Sequence, residues 1–286
     1  MRSGFVALAG RPNVGKSTLV NALCGRKVAI VSDKPQTTRR RALGVANGDG
    51  YQLVLADLPG FQRPRDALTE RMQRTVDTSF EDVDAALLVL DARERIGAGD
   101  RFVAQQVFAL GVPVVIALNK VDRLKPAHIA SQMATAAPLG PFHALHPVSA
   151  KTGDGVGELR DELVALLPEG PLYFPVDVGT DVGPELQIAE LVREKALALT
   201  RDEVPHAISV EVDELEEKVV RASIYVETES QKQIVVGRGG SIVKEIGVRA
   251  RPEVEQLLGR RVFLELRVKV RPRWRRDAAM LERLGL

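Results

Sequence analysis

Short runs of apolar residues recur along the first half of the chain, with stretches of helical spacing between them. The runs cover residues 5–9, 53–56, 85–90, 112–118 and 145–149. They predict a parallel sheet covered by helices, because a strand buried on both faces is hydrophobic along its length. Each run ends in polar residues, and chemistry in such sheets collects at the carboxyl ends of the strands.

A segment rich in Pro and Gly follows this pattern and excludes both a helix and a central strand. It separates a first domain from a second one. The predicted domains are residues 1–168 and 185–286, joined by a linker over 169–184.

Beyond the linker the pattern predicts a helix, two alternating strands, a Gly-rich turn between two helices, and a third strand. These features lie at 185–199, 207–212, 219–228, 237–240 and 262–270. Helix-strand-strand-helix-helix-strand is an α+β order, unlike that of the first domain.

The composition supports two globular domains. The chain has 286 residues, of which 45% are hydrophobic and 27% charged, so each domain can bury a core. The net charge is only +2, but its distribution is uneven. Residues 177–229 carry 5 Lys and Arg against 14 Asp and Glu, and residues 230–286 carry 14 against 6. A basic C-terminal region predicts a surface that faces a polyanion, with solvated charged helices as the alternative.

The single cysteine, Cys24, excludes an intramolecular disulfide and a cysteine-based metal cluster, and it indicates a reducing compartment. A buried structural thiol is favoured over a reactive one. The four histidines show no metal-binding spacing. They are His128, His143, His146 and His206.

No membrane span or secretory signal is expected. The longest apolar run, 112–118, is far shorter than the ~20 residues that a spanning helix requires. The N-terminus leads directly into the first strand without a signal-like apolar region. We therefore expect the protein to stay in the cytoplasm.

A phosphate-binding loop follows the first apolar run and precedes a helix, which is the context that this motif requires. Its residues are Gly10, Arg11, Pro12, Asn13, Val14, Gly15, Lys16 and Ser17. The two glycines let backbone N–H groups surround a β-phosphate, Lys16 bridges the β- and γ-phosphates, and Ser17 is a Mg²⁺ ligand.

The second motif ends the next apolar run and comprises Asp57, Leu58, Pro59 and Gly60. It puts a carboxylate near the metal and a glycine N–H near a γ-phosphate. Alone, the pattern would fit a simple turn equally well. A mobile loop over 34–39 would complete the metal shell with a threonine, for which Thr38 is preferred to Thr37. From spacing alone, an unstructured loop without a role is the alternative.

The base is predicted from residues that end the fourth run, which are Asn119, Lys120, Val121 and Asp122. The Asp122 carboxylate accepts hydrogen bonds from the N1–H and amine of guanine, whereas adenine offers an acceptor there and is rejected. Lys120 would lie along the base, and Asn119 would tie this loop to the phosphate loop. Ser149, Ala150 and Lys151 would offer a backbone N–H to guanine O6.

These motifs in order, with Asn13 in the phosphate loop and Pro-Gln-Thr-Thr-Arg at 35–39, resemble the Era family of GTPases over the whole chain. The resemblance implies a P-loop GTPase domain with a mostly parallel sheet, GTP/GDP and Mg²⁺ as ligands, and Lys16, Thr38, Gly60 and Asn13 as catalytic residues. Asn13 resembles an asparagine through which some relatives bind K⁺, with a structural hydrogen bond as the competing role. Phe61 replaces the water-orienting glutamine of Ras-like enzymes, which implies slow intrinsic turnover.

The Gly-rich turn of the second domain resembles the Gly-x-x-Gly loop of a type 2 KH domain. It comprises Gly237, Arg238, Gly239 and Gly240, with Lys244 on the following helix. Such a loop holds four nucleotides, because glycine lets the sugar-phosphate chain approach closely. Trp274 lies in a basic segment, and a core position is favoured over stacking on a base.

The family resemblance implies a monomer that binds the 3′ end of small-subunit ribosomal RNA and the 30S subunit, with peripheral contact to the cell membrane. One rival is a GTPase that supports tRNA modification, which predicts a C-terminal cysteine motif that this chain lacks. A second rival is an RNA-binding or membrane-associated module with a vestigial nucleotide site. The presence of Lys16, Ser17, Asp57 and Asp122 argues against it.

Overall fold

The computed structural model describes residues 1–61, 64–79 and 82–286, which divide between two units. The first unit contains the described residues of 1–31, 38–63 and 72–181. The second contains those of 32–37, 64–71 and 182–286. No helix of the described residues is both long and apolar enough to cross a bilayer.

The first unit is built on one sheet. Its strands are β1 (Arg2–Ala9), β2 (Ala42–Gly48), β3 (Tyr51–Asp57), β4 (Ala85–Asp91), β5 (Val114–Asn119) and β6 (Ala144–Val148). The helices in this part of the chain are α1 (Lys16–Cys24), α2 (Ala67–Thr78), α3 (Ala98–Phe108), α4 (Pro126–Ala136) and α5 (Val156–Leu166). Among the described residues the strand order is β2-β3-β1-β4-β5-β6.

The predicted α/β class with a mostly parallel sheet is confirmed. Only β2 runs antiparallel to its neighbour within the described part of this sheet. The sequence pattern does not reveal β2, because its residues 42–48 are largely Ala and Gly and form no apolar run. This edge strand extends the sheet beyond the strands that carry the polar motifs.

The core of the first unit lies on both faces of the sheet. On β4, Leu87 and Val89 pack in one cluster with α1 and α5, and Leu88 and Leu90 pack in a second cluster with α3. Alternate residues of a strand point to opposite faces. Helices cover both faces of this strand, so the strand must be apolar along its whole length.

The segment predicted as a linker packs along the sheet edge over most of its length. The buried Gln52 side chain accepts hydrogen bonds from Tyr173 N (2.8 Å) and Phe174 N (3.0 Å). Thr180 bridges to Gly44 of β2, and Leu43 N donates to Asp181 Oδ1 at 2.8 Å. Residues 173–181 are thus held by β2 and β3 and end the first unit.

The second unit is α+β. Its elements are α6 (Pro184–Leu199), α7 (Val204–Ala207), β7 (Ser209–Leu215), β8 (Val219–Val226), α8 (Glu229–Val236), α9 (Ser241–Leu258), β9 (Phe263–Val270) and α10 (Ala278–Arg283). Among the described residues β8 is the central strand, antiparallel to β7 and parallel to β9. This arrangement confirms the predicted KH type 2 fold.

Residues 32–37 belong to the second unit through Arg193 of α6. The Arg193 guanidinium is 2% exposed. It donates to the Thr37 carbonyl and forms an ion pair with Glu190 at 2.6 Å. A buried guanidinium requires such partners, because an uncompensated charge away from water is costly.

Trp274 is a core residue of the second unit. Its side chain is fully buried, and its indole N–H donates to the Ala207 carbonyl at 2.8 Å. The indole bond satisfies the one polar group of the ring, so burial carries no hydrogen-bonding penalty. The ring is therefore not available to stack on a base.

We expect Trp274→Ala to lower the free energy of unfolding of the second unit by about 3–5 kcal/mol, the usual cost of removing a buried large aromatic side chain. Urea unfolding followed by circular dichroism measures this loss. Phe263→Ala, at a side chain that is 62% exposed in the same unit, is the matched control. Equal unfolding midpoints for the two variants would contradict the core assignment.

Candidate nucleotide and RNA site

The loop between β1 and α1 has a backbone that only glycine can supply at two points. Gly15 adopts a left-handed φ of 99°, and a Cβ there would lie 2.4 Å from Asn119 Nδ2. At Gly10 a Cβ would lie 2.6 Å from the Val89 carbonyl. The loop therefore stays narrow and directs its backbone, with the N-terminal end of α1, toward an anion.

Lys16 supplies a buried positive charge in this loop. Its Nζ donates to the carbonyl oxygens of Gly10 (3.1 Å) and Arg11 (3.2 Å). Burial lowers the pKa of Lys16 to about 8, although the nearby Asp57 carboxylate opposes that shift. A cation with so little water around it attracts phosphate oxygens strongly.

The part of the loop that precedes Lys16 is anchored by its side chains. Arg11 forms ion pairs with Asp100 of α3 at 2.7 Å and with Glu94 at 2.5 Å. Val14 is buried, and Pro12 lies against Gly60, where a Cβ would come within 3.0 Å of the proline ring.

Asn13 is exposed and adopts a left-handed φ of 65°, which asparagine tolerates better than most residues. Its carbonyl oxygen accepts from Lys120 Nζ. The K⁺ role of its side chain stays a prediction.

Three oxygen groups meet beside Lys16 and form a candidate metal site. Ser17 Oγ donates to Asp57 Oδ2 at 2.7 Å, and Thr38 Oγ1 lies 2.9 Å from Ser17 Oγ. The Thr37 hydroxyl instead donates to the Lys34 carbonyl. The structure thus brings Thr38, and not Thr37, to Ser17 and Asp57.

Asp57 shows that these residues fit Mg²⁺. Its carboxylate is fully buried, and burial raises its pKa. Within the described part of the chain its Oδ1 atom has no hydrogen-bond partner. Mg²⁺ prefers carboxylate and hydroxyl oxygens. A buried oxygen without a hydrogen-bond partner destabilises the fold, and a bound metal ion would provide the missing partner. No cluster of three or more His, Cys, Asp or Glu able to hold a metal occurs in the ranges that the structure describes.

Residues 58–61 continue from Asp57 along the phosphate loop. Leu58 is buried in the core, and Pro59 follows it as a second buried residue. The Phe61 ring packs edge-on against Phe102 of α3, with ring centroids 6.4 Å apart. Phe61 is thus held by an aromatic contact on the neighbouring helix.

A cavity of about 420 Å³ adjoins the loop and is the candidate base site. Its lining residues are Gly15, Thr18, Val31, Arg93, Asn119, Lys120, Asp122, Arg123, Ser149, Ala150 and Lys151. The structure brings the two predicted base motifs together in one wall. No motif in the sequence marks four of these residues, which are Thr18, Val31, Arg93 and Arg123.

Asn119 joins the loops around this cavity. Its Nδ2 donates to the Val14 carbonyl at 3.0 Å, and its Oδ1 accepts from Lys120 N (2.8 Å) and Ala150 N (3.0 Å). Ser149 Oγ donates to Asp122 Oδ1 at 3.0 Å. Val121 is buried in the core and anchors the turn that carries Asp122. The Asp122 carboxylate is therefore held at the cavity edge.

Asp91 contacts the cavity-lining residue Lys120, although no sequence motif marks Asp91. It ends β4, and its Oδ2 lies 2.7 Å from Lys120 Nζ. The signal is an acidic residue directly after the apolar run 85–90, at the same sheet edge as the other motifs.

The Gly-x-x-Gly loop joins α8 to α9 in the second unit. Gly237, Gly239 and Gly240 have φ values of 73°, 60° and 80°, a region that glycine enters freely. Arg238, Gly239 and Lys244 are exposed. The loop therefore presents bare backbone with two positive side chains beside it.

Comparison with known proteins finds relatives of both domains. Residues 5–120 match a family described as 50S ribosome-binding GTPase, and residues 203–275 match the KH domain family. GTPase Era of Mycobacterium sp. (strain JLS) is 44% identical, covering 99% of this chain and 98% of the relative. GTPase Era of Heliobacterium modesticaldum is 43% identical, covering 100% and 97%.

Solved structures agree over the whole chain. An Era variant from Aquifex aeolicus bound to GDP·AlF4⁻ has a TM-score of 0.96 at 40% identity, covering 100% of this chain and 99% of that one. Era in complex with MgGDPNP and nucleotides 1506–1542 of 16S ribosomal RNA has a TM-score of 0.94 at 40% identity, with the same coverage. The similarity extends over both domains, and the chain belongs to the Era family of GTPases.

Proposed function

We propose that this GTPase is a nucleotide-controlled switch that binds the 3′ end of small-subunit ribosomal RNA through its KH domain and acts in assembly of the 30S subunit. The observation that carries the proposal is the whole-chain similarity to Era in complex with MgGDPNP and 16S ribosomal RNA. The exposed Gly-x-x-Gly loop supports it, because this chain has its own surface for that contact.

The first unit supplies the chemistry of GTP hydrolysis. Its phosphate loop and Lys16 would bind the phosphates, and the Gly60 N–H would donate to the γ-phosphate. Ser17, Thr38 and Asp57 would hold Mg²⁺, which neutralises negative charge on the phosphates when bound.

Slow intrinsic turnover follows from Phe61, which has no polar group to orient water. Its contact with Phe102 gives the ring a resting position on α3. A K⁺ ion held near Asn13 would add positive charge beside the phosphates.

RNA binding is assigned to the loop 237–240 with Arg238 and Lys244. Glycine lets a sugar-phosphate chain approach the backbone, and the two cations attract it. The positive end of the 18-residue helix α9 begins directly after the loop and adds to this attraction.

The proposal also includes the cytoplasm as the location and a monomer as the working form. Peripheral contact with the cell membrane stays a prediction, supported by the basic residues of 271–276. Such a segment is attracted to anionic lipid as well as to RNA.

Asp122→Asn should change the preferred nucleotide from guanine to xanthine, because the amide offers a donor to the C2 carbonyl that replaces the guanine amine. Calorimetry with GDP and XDP measures the change. Asp154→Asn removes the same charge from an exposed side chain in the loop after β6 and should retain GDP preference. If Asp122→Asn still prefers GDP, guanine is recognised elsewhere.

Potassium buffer should support clearly faster GTP hydrolysis than sodium buffer, because K⁺ beside the phosphates offsets charge in the transition state. Asn13→Ala should abolish the difference while retaining GDP binding. Phosphate release at matched ionic strength measures both rates. Equal wild-type rates in the two salts would leave Asn13 with a structural role.

Gly239→Asp should eliminate RNA binding and leave GTP hydrolysis by the isolated protein nearly unchanged. The residue has a φ of 60°, and a Cβ there has no neighbour within 4 Å among the described atoms. Aspartate tolerates this backbone region, so the variant should fold, while its charge repels the phosphate chain. The measurement is binding of a single-stranded oligonucleotide with the ribosomal 3′-end sequence at two salt concentrations.

Gly259→Asp is the matched control for this charge. Gly259 ends α9 with a φ of 65° and has equally open space around a Cβ, but it lies at the opposite end of the helix from the loop. Its RNA affinity should remain close to wild type. Unchanged RNA affinity in a folded Gly239→Asp variant would refute RNA binding by this loop.

A further inference from the structure

Asp91 is a buried carboxylate at the end of β4, in contact with Lys120 and Arg93 of the cavity wall. Its side chain is 2% exposed. Oδ2 lies 2.7 Å from Lys120 Nζ and 2.9 Å from Arg93 Nη2. Oδ1 accepts from Arg93 Nε and from the Arg93 backbone N, each at 3.0 Å. Hydrogen bonds to both oxygens therefore fix the orientation of the carboxylate.

Lys120 is held at two points by this arrangement. Its ammonium group lies between Asp91 and the carbonyl oxygen of Asn13. Its Cε atom lies 3.5 Å from the position that a Cβ of Gly15 would occupy. The apolar stem thus runs over the phosphate loop and forms one side of the base cavity.

This fixation changes what a lysine can do in a binding site. A free lysine side chain has many rotamers, and ordering it on ligand binding costs entropy. Here the ion pair orders the stem before a nucleotide arrives, so less of that cost falls on binding.

The charge on Asp91 makes the ion pair durable. Burial alone would raise the pKa of Asp91, but hydrogen bonds from Arg93 and Lys120 outweigh that effect and lower the pKa to about 2. The carboxylate is therefore ionised throughout the physiological range. A buried ionised carboxylate is costly without its partners, which disfavours release of Lys120.

We propose that Asp91 is a positioning residue of the guanine-nucleotide site, which orients Lys120 along the wall of the base cavity and is itself oriented by Arg93. The inference rests on binding of guanine nucleotide at this site. The competing role is a purely structural contact between β4 and the loop after β5, with no effect transmitted through Lys120.

A double-mutant cycle separates these roles. The single variants are Asp91→Asn and Lys120→Met, which removes the ammonium group and keeps an apolar stem, and the cycle is completed by their combination. The probe is GDP with a fluorescent ribose label, and the readouts are its dissociation rate and calorimetric affinity for GDP. Asp91→Asn should accelerate dissociation about tenfold or more, since hydrogen bonds to charged groups are among the stronger ones.

In the Lys120→Met background, adding Asp91→Asn should change the dissociation rate less than about twofold, because an effect transmitted through one partner is not additive. Wild-type behaviour of Asp91→Asn, or an equal loss in both backgrounds, would overturn the proposal. Failure of the wild-type protein to bind GDP would instead contradict guanine-nucleotide binding itself.

Asp84→Asn is the control at the other end of the same strand. Asp84 directly precedes β4 and accepts from the backbone Phe5 N at 2.7 Å, so Asp84→Asn makes the same carboxylate-to-amide change on a residue that does not hold Lys120. Its GDP dissociation should match wild type. If Asp91→Asn does not fold, Asp91→Glu takes its place. It should accelerate GDP dissociation less, and this effect should also disappear in the Lys120→Met background. An equal effect of Asp91→Glu in both backgrounds would overturn the proposal.

Discussion

The nucleotide site depends on the side chain of Asn119, which is buried where three loops meet. Its amide donates to the phosphate loop at Val14 and accepts from Lys120 and Ala150. The bonds to Val14 and Ala150 join loops that are distant in the sequence, and the bond from Lys120 N orients the amide within its own loop. Because Gly15 must lack a side chain for the amide to fit, the phosphate loop and the base loop constrain each other.

Three buried charged residues of the first unit lie in or beside the nucleotide site. Lys16, Asp57 and Asp91 are all nearly inaccessible to water. Asp91 is satisfied within the protein, whereas Asp57 retains an oxygen without a partner in the described structure. A buried charge lowers the stability of the fold, and it attracts a ligand group of opposite charge more strongly than an exposed charge does. The distribution therefore distinguishes Asp91, which shapes the site, from Lys16 and Asp57, which are proposed to bind phosphate and metal.

Much of the first unit and of its nucleotide site was predictable from sequence. The motifs end apolar runs, and parallel strands bring their carboxyl ends to one edge of the sheet. Asn119 and Asp122 could be placed by that rule, and Lys16 by the phosphate-loop motif that follows the first run. Strand β2 could not, since Ala and Gly give no hydrophobic run, and the 173–181 segment could not, since the partner of its backbone is the distant Gln52. Arg93 and Val31 entered the cavity wall through tertiary packing, which leaves no local pattern.

Trp274 gives the chain a built-in spectroscopic probe. It is the only tryptophan in the sequence, and its buried indole belongs to the second unit. Indole emission shifts to longer wavelength when the ring becomes exposed to water. Intrinsic tryptophan fluorescence therefore reports the opening of the KH unit selectively, while circular dichroism reports both units. The two signals, followed together, would reveal whether the GTPase and KH units unfold as one cooperative body or in separate steps.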